Sequence, residues 1–406
     1  MLTRAERPRI TSSISRLLLC FGCLETQKSL RQSSSCASGR SGVEGHQSHF
    51  LGAVWPSAPP PILRSTLVHA PMSLPPSPFA VSTSKSGEGV IELSLLPPSK
   101  QVLTGLTYQY PLKLIAPDSH RAPNEHQDPV TVIFVLTYGG GLVGGDKVKL
   151  RVDLADATKL VLLTQGSTKI FKSPSRNVAS GQTLSVRLGK GAALCYLPDP
   201  TQPFGESVYE QCQTFHLDPT CSSSLCVLDW VSEGRRARGE SWHLYSWRGR
   251  NEVREVVLGT DAQGRLLLRD TVILSDSKQR GQENGLLEKT DGMGVFGTLI
   301  LSGPIFERLG EYFMNEFSGQ SRIGAKSWTV DGSEEERSPE GQRRDQRQVQ
   351  EQADALLWTA AYVRGFVLIK FGAREVDGAR KWLAAMIRQE GSVEKEFGHQ
   401  ALFCLR

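Results

Sequence analysis

The chain has 406 residues, of which 39% are hydrophobic, and its formal net charge is +5 at pH 7. This length and apolar content suffice for one large globular domain or two ordinary ones. Residues 1–71 carry eight Lys and Arg against three Asp and Glu, so the rest of the chain is neutral, with 39 residues of each sign. A neutral body lacks the broad positive surface of a nucleic-acid-binding protein, and we expect no nucleic-acid partner.

The cysteines and the hydropathy favour a reduced, cytoplasmic protein. Eight cysteines are scattered over the chain and do not form the dense framework of a small secreted domain. No stretch approaches the roughly 18–20 consecutive apolar residues that a membrane span needs. We therefore expect a cytoplasmic chain that makes no contact with a membrane.

Residues 1–87 are predicted to be an N-terminal extension. The first 50 residues are rich in Ser and Arg and poor in acids, which is typical of a mitochondrial presequence and makes the mitochondrion the alternative location. Met72 opens a second possible start just before the ordered-looking sequence begins. A disordered extension, or a start codon placed too far upstream, is the favoured interpretation.

Residues 88–406 are predicted to form a β-rich domain. More than ten short segments with strand composition follow one another from residue 88, each bounded by Gly, Pro, Asn, Asp or Ser. In "KVKLRVDL", residues 147–154, apolar and charged side chains alternate strictly, as in a half-buried strand. With almost no helical spacing between these segments, the sequence predicts a large, elongated all-β body of stacked sheets rather than an alternating βαβ fold.

The C-terminal part is predicted to differ from this body. Residues 318–352 are polar, carry charges of both signs and contain few aliphatics, which indicates a disordered insertion. After it, "ADALLWTAAYVRG" fits either a helix or a strand, and "FVLIKF" fits a buried strand. In "REVDGARKWLAAMIRQE" the apolar residues recur at helical spacing, so the domain ends in a small strand and helix portion.

The stretch "VTVIFVLTYGGGLVGGDKVKL" raises the question of a phosphate-binding loop at residues 139–146. Gly139, Gly141 and Gly144 fit GxGxxG, but that motif binds a dinucleotide only when a helix follows the glycines. Here a strand is predicted to follow, and Asp146 stands where a Walker loop has its lysine. We expect no bound nucleotide, and a glycine-lined hairpin or bulge is the structural alternative.

Several motifs, in order, give this chain a family resemblance. They are "YGGGLVGGDKVKLRVDL" with the following "STKIFKS", then "YLPDPTQPFGES", "LDWVSEGRRARGES", "GVFGTLILSGP" and a closing "FCLR". Together they resemble the urease accessory protein family UreD, called UreH in some bacteria, and the insertion is similar to those of fungal members. The resemblance covers residues 88–406 apart from the insertion.

The resemblance implies a scaffold that is not an enzyme. UreD-like proteins are β-rich, bind the helical accessory protein UreF, which recruits the GTPase UreG, and dock on apo-urease to pass nickel into its active site. Nickel would then be cargo in transit, and nucleotide chemistry would belong to the GTPase. A β-rich enzyme that uses the 139–146 glycine loop, and a plain protein-binding module, are the competing hypotheses.

The resemblance also implies a set of site residues. The predicted nickel path contains Asp146, Asp229 and Glu240, with Thr168 and Lys169 beside it, and Asp146 is the candidate metal ligand. Partner or structural roles are predicted for Gly140, Gly141, Gly144, Gly145, Arg235 and Arg238. Two alternatives stay open: Asp146 fixes its own turn by hydrogen bonds, and Glu240 is a structural ion-pair partner of Arg235 or Arg238.

Overall fold

The computed structural model describes residues 85–117, 130–256, 264–275, 285–320 and 339–406. Most of the predicted N-terminal extension, and residues 321–338 of the predicted insertion, lie outside these ranges. The strands are β1 Glu88–Leu96, β2 Lys100–Tyr108, β3 Leu112–Ile115, β4 Thr131–Thr137, β5 Gly141–Leu142, β6 Lys147–Leu154, β7 Lys159–Leu163, β8 Thr168–Ile170, β9 Ser180–Leu188, β10 Ala193–Tyr196, β11 Thr201–Pro203, β12 Val208–Leu217, β13 Ser224–Ser232, β14 Ser246–Glu255, β15 Leu266–Ser275, β16 Val295–Ser302, β17 Leu357–Val363 and β18 Phe366–Ala373.

The strands form two sheets, which we call sheet A and sheet B. Sheet A has seven strands in the order β15-β14-β12-β9-β6-β1-β2. Sheet B has eleven, with β17-β18-β16-β13-β10-β7-β4-β3 in sequence and the short β5, β8 and β11 branching from this path. The predicted fold class, mainly β with large sheets and a C-terminal helical portion, is confirmed.

The central strands pair in parallel. From β6 to β14 the chain passes alternately through sheet A and sheet B, so that β6, β9, β12 and β14 are parallel neighbours in one sheet. In the same way β4, β7, β10 and β13 are parallel neighbours in the other. Parallel neighbours need a long crossover, which is usually a helix. Here a strand of the opposite sheet is that crossover, and this is why the sequence shows no helical spacing between the strands.

The main core lies between the two sheets. The alternation predicted for "KVKLRVDL" is confirmed, because Val148, Leu150, Val152 and Leu154 of β6 are buried in this core. Inward residues of sheet B, such as Leu194, meet them from the other side. Each fully buried side chain of this size contributes about 1.5–3 kcal/mol to stability.

A helical layer covers the outer face of sheet B. The helices are α1 Leu286–Lys289, α2 Glu307–Ser318, α3 Pro339–Ala353, α4 Val376–Glu390 and α5 Ser392–Phe397. Phe313 of α2 and Trp382 and Met386 of α4 belong to a second core with Cys195 and Leu299 of sheet B. The predicted terminal helix is therefore confirmed, α2 is an addition to the prediction, and "ADALLWTAAYVRG" contains the strand β17.

Helix α3 corrects the prediction of disorder for part of residues 318–352. Arg344 and Arg347 of this helix pair with Glu316 of α2 at 2.9 and 2.5 Å. The buried Glu351 accepts hydrogen bonds from the indole N–H groups of Trp358 and Trp382, at 3.1 and 3.0 Å. The segment looked too polar to fold because its stabilising contacts are ion pairs and hydrogen bonds to residues outside it, Glu316, Trp358 and Trp382.

Candidate functional site

The glycine cluster forms a tight connection between β4 and β6. Gly139, Gly140 and Gly145 have φ values of 72°, 72° and 98°, a region that favours glycine. Gly141 and Gly144 are required for close approach, because a Cβ atom would lie 2.3 Å from the carbonyl oxygen of Lys169 or 2.5 Å from Cδ of Pro174. Strand β6 follows the glycines directly, and no helix begins there. The cluster is not a hairpin, because β4 belongs to sheet B and β6 to sheet A, so the glycines form a tight crossover between the two sheets.

Asp146 hydrogen-bonds its own turn. Its Oδ2 atom accepts from the backbone N–H of Val143 at 3.0 Å, and its backbone N–H donates to the carbonyl oxygen of Val143 at 2.9 Å. The side chain is half-buried. The structure thus shows the turn-fixing role that the sequence left open, and a metal-binding role for Asp146 stays a prediction.

Asp229 lies in the interior between the two sheets. It faces inward from β13 beside a cavity of about 20 Å³, and Gln211, Gln213, Thr168 and Tyr196 line the same cavity. The amide of Gln211 donates to Oδ1 of Asp229 at 2.8 Å. Burial raises the pKa of Asp229, although its amide hydrogen bonds oppose this shift.

The strand registers align buried polar residues in two facing rows, which we call the polar layer. In sheet A the row runs across β12, β14 and β15, and in sheet B it runs across β13, β16 and β18. Its members are Gln213, Asn251 and Asp270 in sheet A and Asp229, Thr298 and Lys370 in sheet B.

Hydrogen bonds join the two rows of the polar layer. Asn251 Nδ2 donates to Asp229 Oδ2 at 2.7 Å, and Lys370 Nζ contacts Asp270 Oδ1 at 2.6 Å. Lys370 also reaches Thr298 Oγ1 at 3.3 Å. Two carboxyl groups therefore share one ammonium group, and the layer favours a further positive charge whenever both carboxyls are ionised.

Three oxygen atoms of the polar layer are buried without a donor among the described residues. They are Gln213 Oε1, Asn251 Oδ1 and Asp270 Oδ2. Buried acceptors without a partner are uncommon in folded proteins and usually bind a water molecule or an ion. Of these three residues Gln213 lines the cavity beside Asp229, and Asn251 hydrogen-bonds Asp229 itself. This interior region therefore suits water and a cation bound by oxygen atoms.

One end of the cavity lies under the C-terminal helical layer. Thr164 and Asp199 line this end, and Thr164 Oγ1 donates to Asp199 Oδ2 at 3.1 Å. Arg380 of α4 pairs with Asp199 at 3.0 Å, and the thiol of Cys404 donates to the carbonyl oxygen of Thr164 at 3.3 Å. The end of the chain therefore contacts the cavity wall directly.

Glu240 lies apart from this cavity as the ion-pair partner of Arg235. Arg235 Nε donates to Glu240 Oε2 at 2.8 Å, and the guanidinium also stacks on Phe204, 4.1 Å from the ring centroid. The backbone N–H of Gly205 donates to the same carboxylate at 3.3 Å. The hydrogen bonds from Arg235 lower the pKa of Glu240. The arrangement holds the "GRRARGE" loop in place, while Arg238 is exposed.

The structure brings together two of the five predicted path residues, Asp229 and Thr168. Lys169 is exposed, with its backbone paired to Gly141. In the described parts of the chain, no three His, Cys, Asp or Glu side chains converge in a way that could hold a metal ion. Roles for Asp146, Glu240 and Lys169 in metal transfer stay predictions.

Most of the polar layer was not predicted from the sequence. One local signal was present, because Gln211 and Gln213 lie between Tyr209 and Phe215 on the inward side of β12. Asn251 likewise occupies an inward position of β14. Polar side chains on the apolar face of an alternating strand indicate a buried polar site.

Comparison with known proteins identifies the family. Residues 87–402 match the family described as UreD urease accessory protein. The chain is similar to an uncharacterized urease accessory protein ureD-like of Schizosaccharomyces pombe, with 31% identity over 71% of this chain and 90% of the relative. It is also similar to Urease accessory protein 4 of Cryptococcus neoformans, with 28% identity over 80% and 95% of the two chains.

A plant relative agrees with these matches: Urease accessory protein D of Arabidopsis thaliana is 36% identical over 56% of this chain and 74% of its own. The chain belongs to the UreD family of urease accessory proteins. That membership gives it a role in urease maturation, in interaction with the maturation machinery. No helix within the described residues is long and apolar enough to cross a membrane.

Proposed function

We propose that this chain is a non-catalytic scaffold that helps to deliver nickel into the active site of apo-urease. The observation that carries the proposal is the polar layer beside Asp229, with its cavity and its three buried oxygen atoms that have no donor in the described parts of the chain. A carrier must bind its metal without trapping it, and carbonyl, carboxylate and water oxygens bind Ni²⁺ more weakly than thiolates or clustered imidazoles do. The polar layer offers only oxygen, amide and amine groups, and its oxygen atoms are weak ligands of this kind.

The charge of the layer supports cation transfer. Asp229 and Asp270 face a single Lys370 in the interior, so an entering divalent cation replaces water and compensates the second carboxylate. Burial raises the pKa of Asp229, and a nearby cation favours its ionised form. We therefore assign Asp229 the role of a transient ligand, with Thr168 on the wall of the same cavity.

Within the same proposal the chain acts with three partners: a UreF-like helical protein, a UreG-like GTPase and apo-urease. Nucleotide binding is assigned to the GTPase, because the glycine turn of this chain leads into strand β6 and not into a helix. The proposed location is the cytoplasm. Co-purification of the tagged chain with the three partners, followed by identification of the bound proteins, tests this assignment.

The proposal is tested by deleting the gene in its own organism. Urease activity is expected to be lost at ordinary nickel concentrations while the urease polypeptide persists in the apo form, and full activity in the deletion strain would overturn the proposal. For the alternative, a β-rich enzyme with a nucleotide at residues 139–146, the decisive measurement is calorimetric titration of the purified chain with ATP and NAD. Micromolar or tighter binding, weakened by Gly141→Ala, would favour that alternative.

A further inference from the structure

The outward face of sheet A differs from that of sheet B. Parallel sheets are usually covered on both faces, and the helical layer covers sheet B in this way. On sheet A, the outward side chains of β9, β14 and β15 include Arg187, Arg248, Arg250 and Arg269, all of which are exposed. A wide, flat and hydrophilic surface therefore remains open within the described part of the fold.

Three arginines on this face contact one glutamate, and a fourth lies on a nearby strand; we call this group the arginine cluster: Arg250, Arg254 and Arg269 around Glu252, with Arg187 on β9. Glu252 on β14 contacts Arg254 at 2.7 Å, Arg269 at 3.0 Å and Arg250 at 3.5 Å. These arginines cover the carboxylate, whose side chain is only 7% exposed. Three guanidinium groups thus share a single negative charge.

Arg187 adds to the excess of positive charge. It lies opposite His216 on β12, and Arg254 lies on the other side of the same histidine. Arg187 forms no ion pair within 4.0 Å with a carboxylate of the described residues; Asp153, which lies opposite it on β6, pairs with Arg151 at 2.9 Å. Burial lowers the pKa of His216, and the charges of Arg187 and Arg254 lower it further. Counted against Glu252 alone, the four arginines leave an excess of three positive charges, which the nearby carboxylates of Asp153 and Glu210 reduce in part.

We propose that the arginine cluster on the open face of sheet A is a docking surface for an acidic segment of a partner protein. Arginine is suited to this role because its planar guanidinium binds a carboxylate through two parallel hydrogen bonds. Strands β9, β12, β14 and β15 are neighbours about 4.8 Å apart, so an extended acidic segment that crosses them meets several guanidinium groups in succession. The surface is separate from the polar layer, which faces the other side of sheet A.

Charge disfavours three other occupants of this surface. A second copy of the chain, docked with its arginine cluster against this one, would place arginine against arginine. The chain's own residues 1–71 carry an excess of five positive charges and would be repelled as well. A nucleic acid is disfavoured because the body of the protein is neutral and Glu252 lies at the centre of the cluster. An acidic protein segment is the occupant that fits.

The test uses the purified full-length chain and a fluorescein-labelled peptide of ten glutamates as the probe. Binding is followed by fluorescence anisotropy at low and at physiological salt, and we expect binding that weakens as salt rises. Arg187→Glu is expected to weaken binding roughly 3–10-fold, since it removes one charge-assisted contact and adds a repulsive one. Circular dichroism verifies that the variant is folded.

The matched control is Arg308→Glu, the same charge change at an exposed position of α2, outside sheet A. It is expected to leave peptide binding unchanged. Equal effects of Arg187→Glu and Arg308→Glu, or no peptide binding at low salt, would overturn the proposal. It would also be overturned if a labelled 20-mer of deoxythymidine bound more tightly than the peptide and lost affinity in Arg187→Glu. The assay involves no nickel or urease, so its result is independent of the proposed metal route.

Discussion

Asn251 and Asp229 join the two sheets by a hydrogen bond of 2.7 Å from Nδ2 to Oδ2, in the middle of the main core. Gln211 donates to the other oxygen of the same carboxyl group at 2.8 Å. Asp229→Leu is expected to lower the free energy of unfolding by about 2–4 kcal/mol, because it leaves two buried amide groups without an acceptor. Chemical denaturation checks this value.

Asp229→Asn is the matched isosteric change and is expected to fold normally. Burial raises the pKa of Asp229 in the folded protein above its unfolded value. Ionisation of Asp229 therefore destabilises the folded state. This loss of stability develops as pH rises from the pKa of the unfolded chain through the pKa of the folded protein. The variant is expected to show less loss of stability over that range than the wild type. A steeper loss in Asp229→Asn would contradict this interpretation, and thermal melts at several pH values give the comparison.

The glycine turn offers a matched pair of substitutions. Gly141→Ala is expected to cost about 2–3 kcal/mol, because its Cβ atom would lie 2.3 Å from a backbone oxygen of Lys169 that cannot move away easily. Gly140→Ala meets nothing within 4 Å but must adopt a φ of 72°, which costs about 1–2 kcal/mol. Denaturation midpoints of the two variants show which substitution destabilises the protein more. An equal or smaller loss of stability in Gly141→Ala would contradict the close-approach role of Gly141.

Removal of the ion pair between Glu240 and Arg235 is expected to have a small effect on stability that depends on pH. Hydrogen bonds from Arg235 lower the pKa of Glu240 in the folded protein. Their contribution to the free energy of unfolding is therefore present above the pKa of the unfolded chain and is lost as pH falls through the pKa of the folded protein. Because the Arg235 side chain is 37% exposed, Glu240→Gln is expected to cost less than about 1 kcal/mol at neutral pH. Its melting temperature should converge with that of the wild type in acid. A loss of several kcal/mol would indicate a larger structural role.

Helix α3 is expected to depend on Glu351, the acceptor for two tryptophan indoles. Glu351→Ala leaves the N–H groups of Trp358 and Trp382 without their acceptor and should release the helix from the helical layer. Hydrogen–deuterium exchange is expected to rise within residues 339–353 while exchange in the sheets stays slow. The exposed change Asp345→Ala in the same helix is the control. Equal exchange in the two variants would show that Glu351 does not anchor the helix.

The sequence allowed much of the fold to be predicted, because strand alternation reports which side chains face the core. In β6 the alternation identified Val148 and Leu150 as buried residues, and both are. Alternation does not say which strand lies beside which, so the parallel pairing through two sheets had no sequence signal. A crossover made of a strand in the opposite sheet, in place of a helix, is set by tertiary packing and leaves no local pattern in the sequence.

The candidate site was predictable only in part, for a similar reason. The family resemblance pointed to Asp229 and Thr168, which share one cavity. Asp270 and Lys370 are separated by 100 residues, and only the registers of β15 and β18 within their sheets bring them together. No local pattern reports such a pair, whereas the inward-facing Gln211 was visible within its own strand.

The most direct test of the proposed nickel route is the nickel content of urease purified from cells that carry Asp229→Asn in this chain. Asp153→Asn, the same chemical change on the exposed side of β6, is the control, and co-purification verifies that the accessory complex still assembles. We predict less nickel per urease in Asp229→Asn with an intact complex, and a normal content in Asp153→Asn. A normal nickel content in Asp229→Asn would contradict the account.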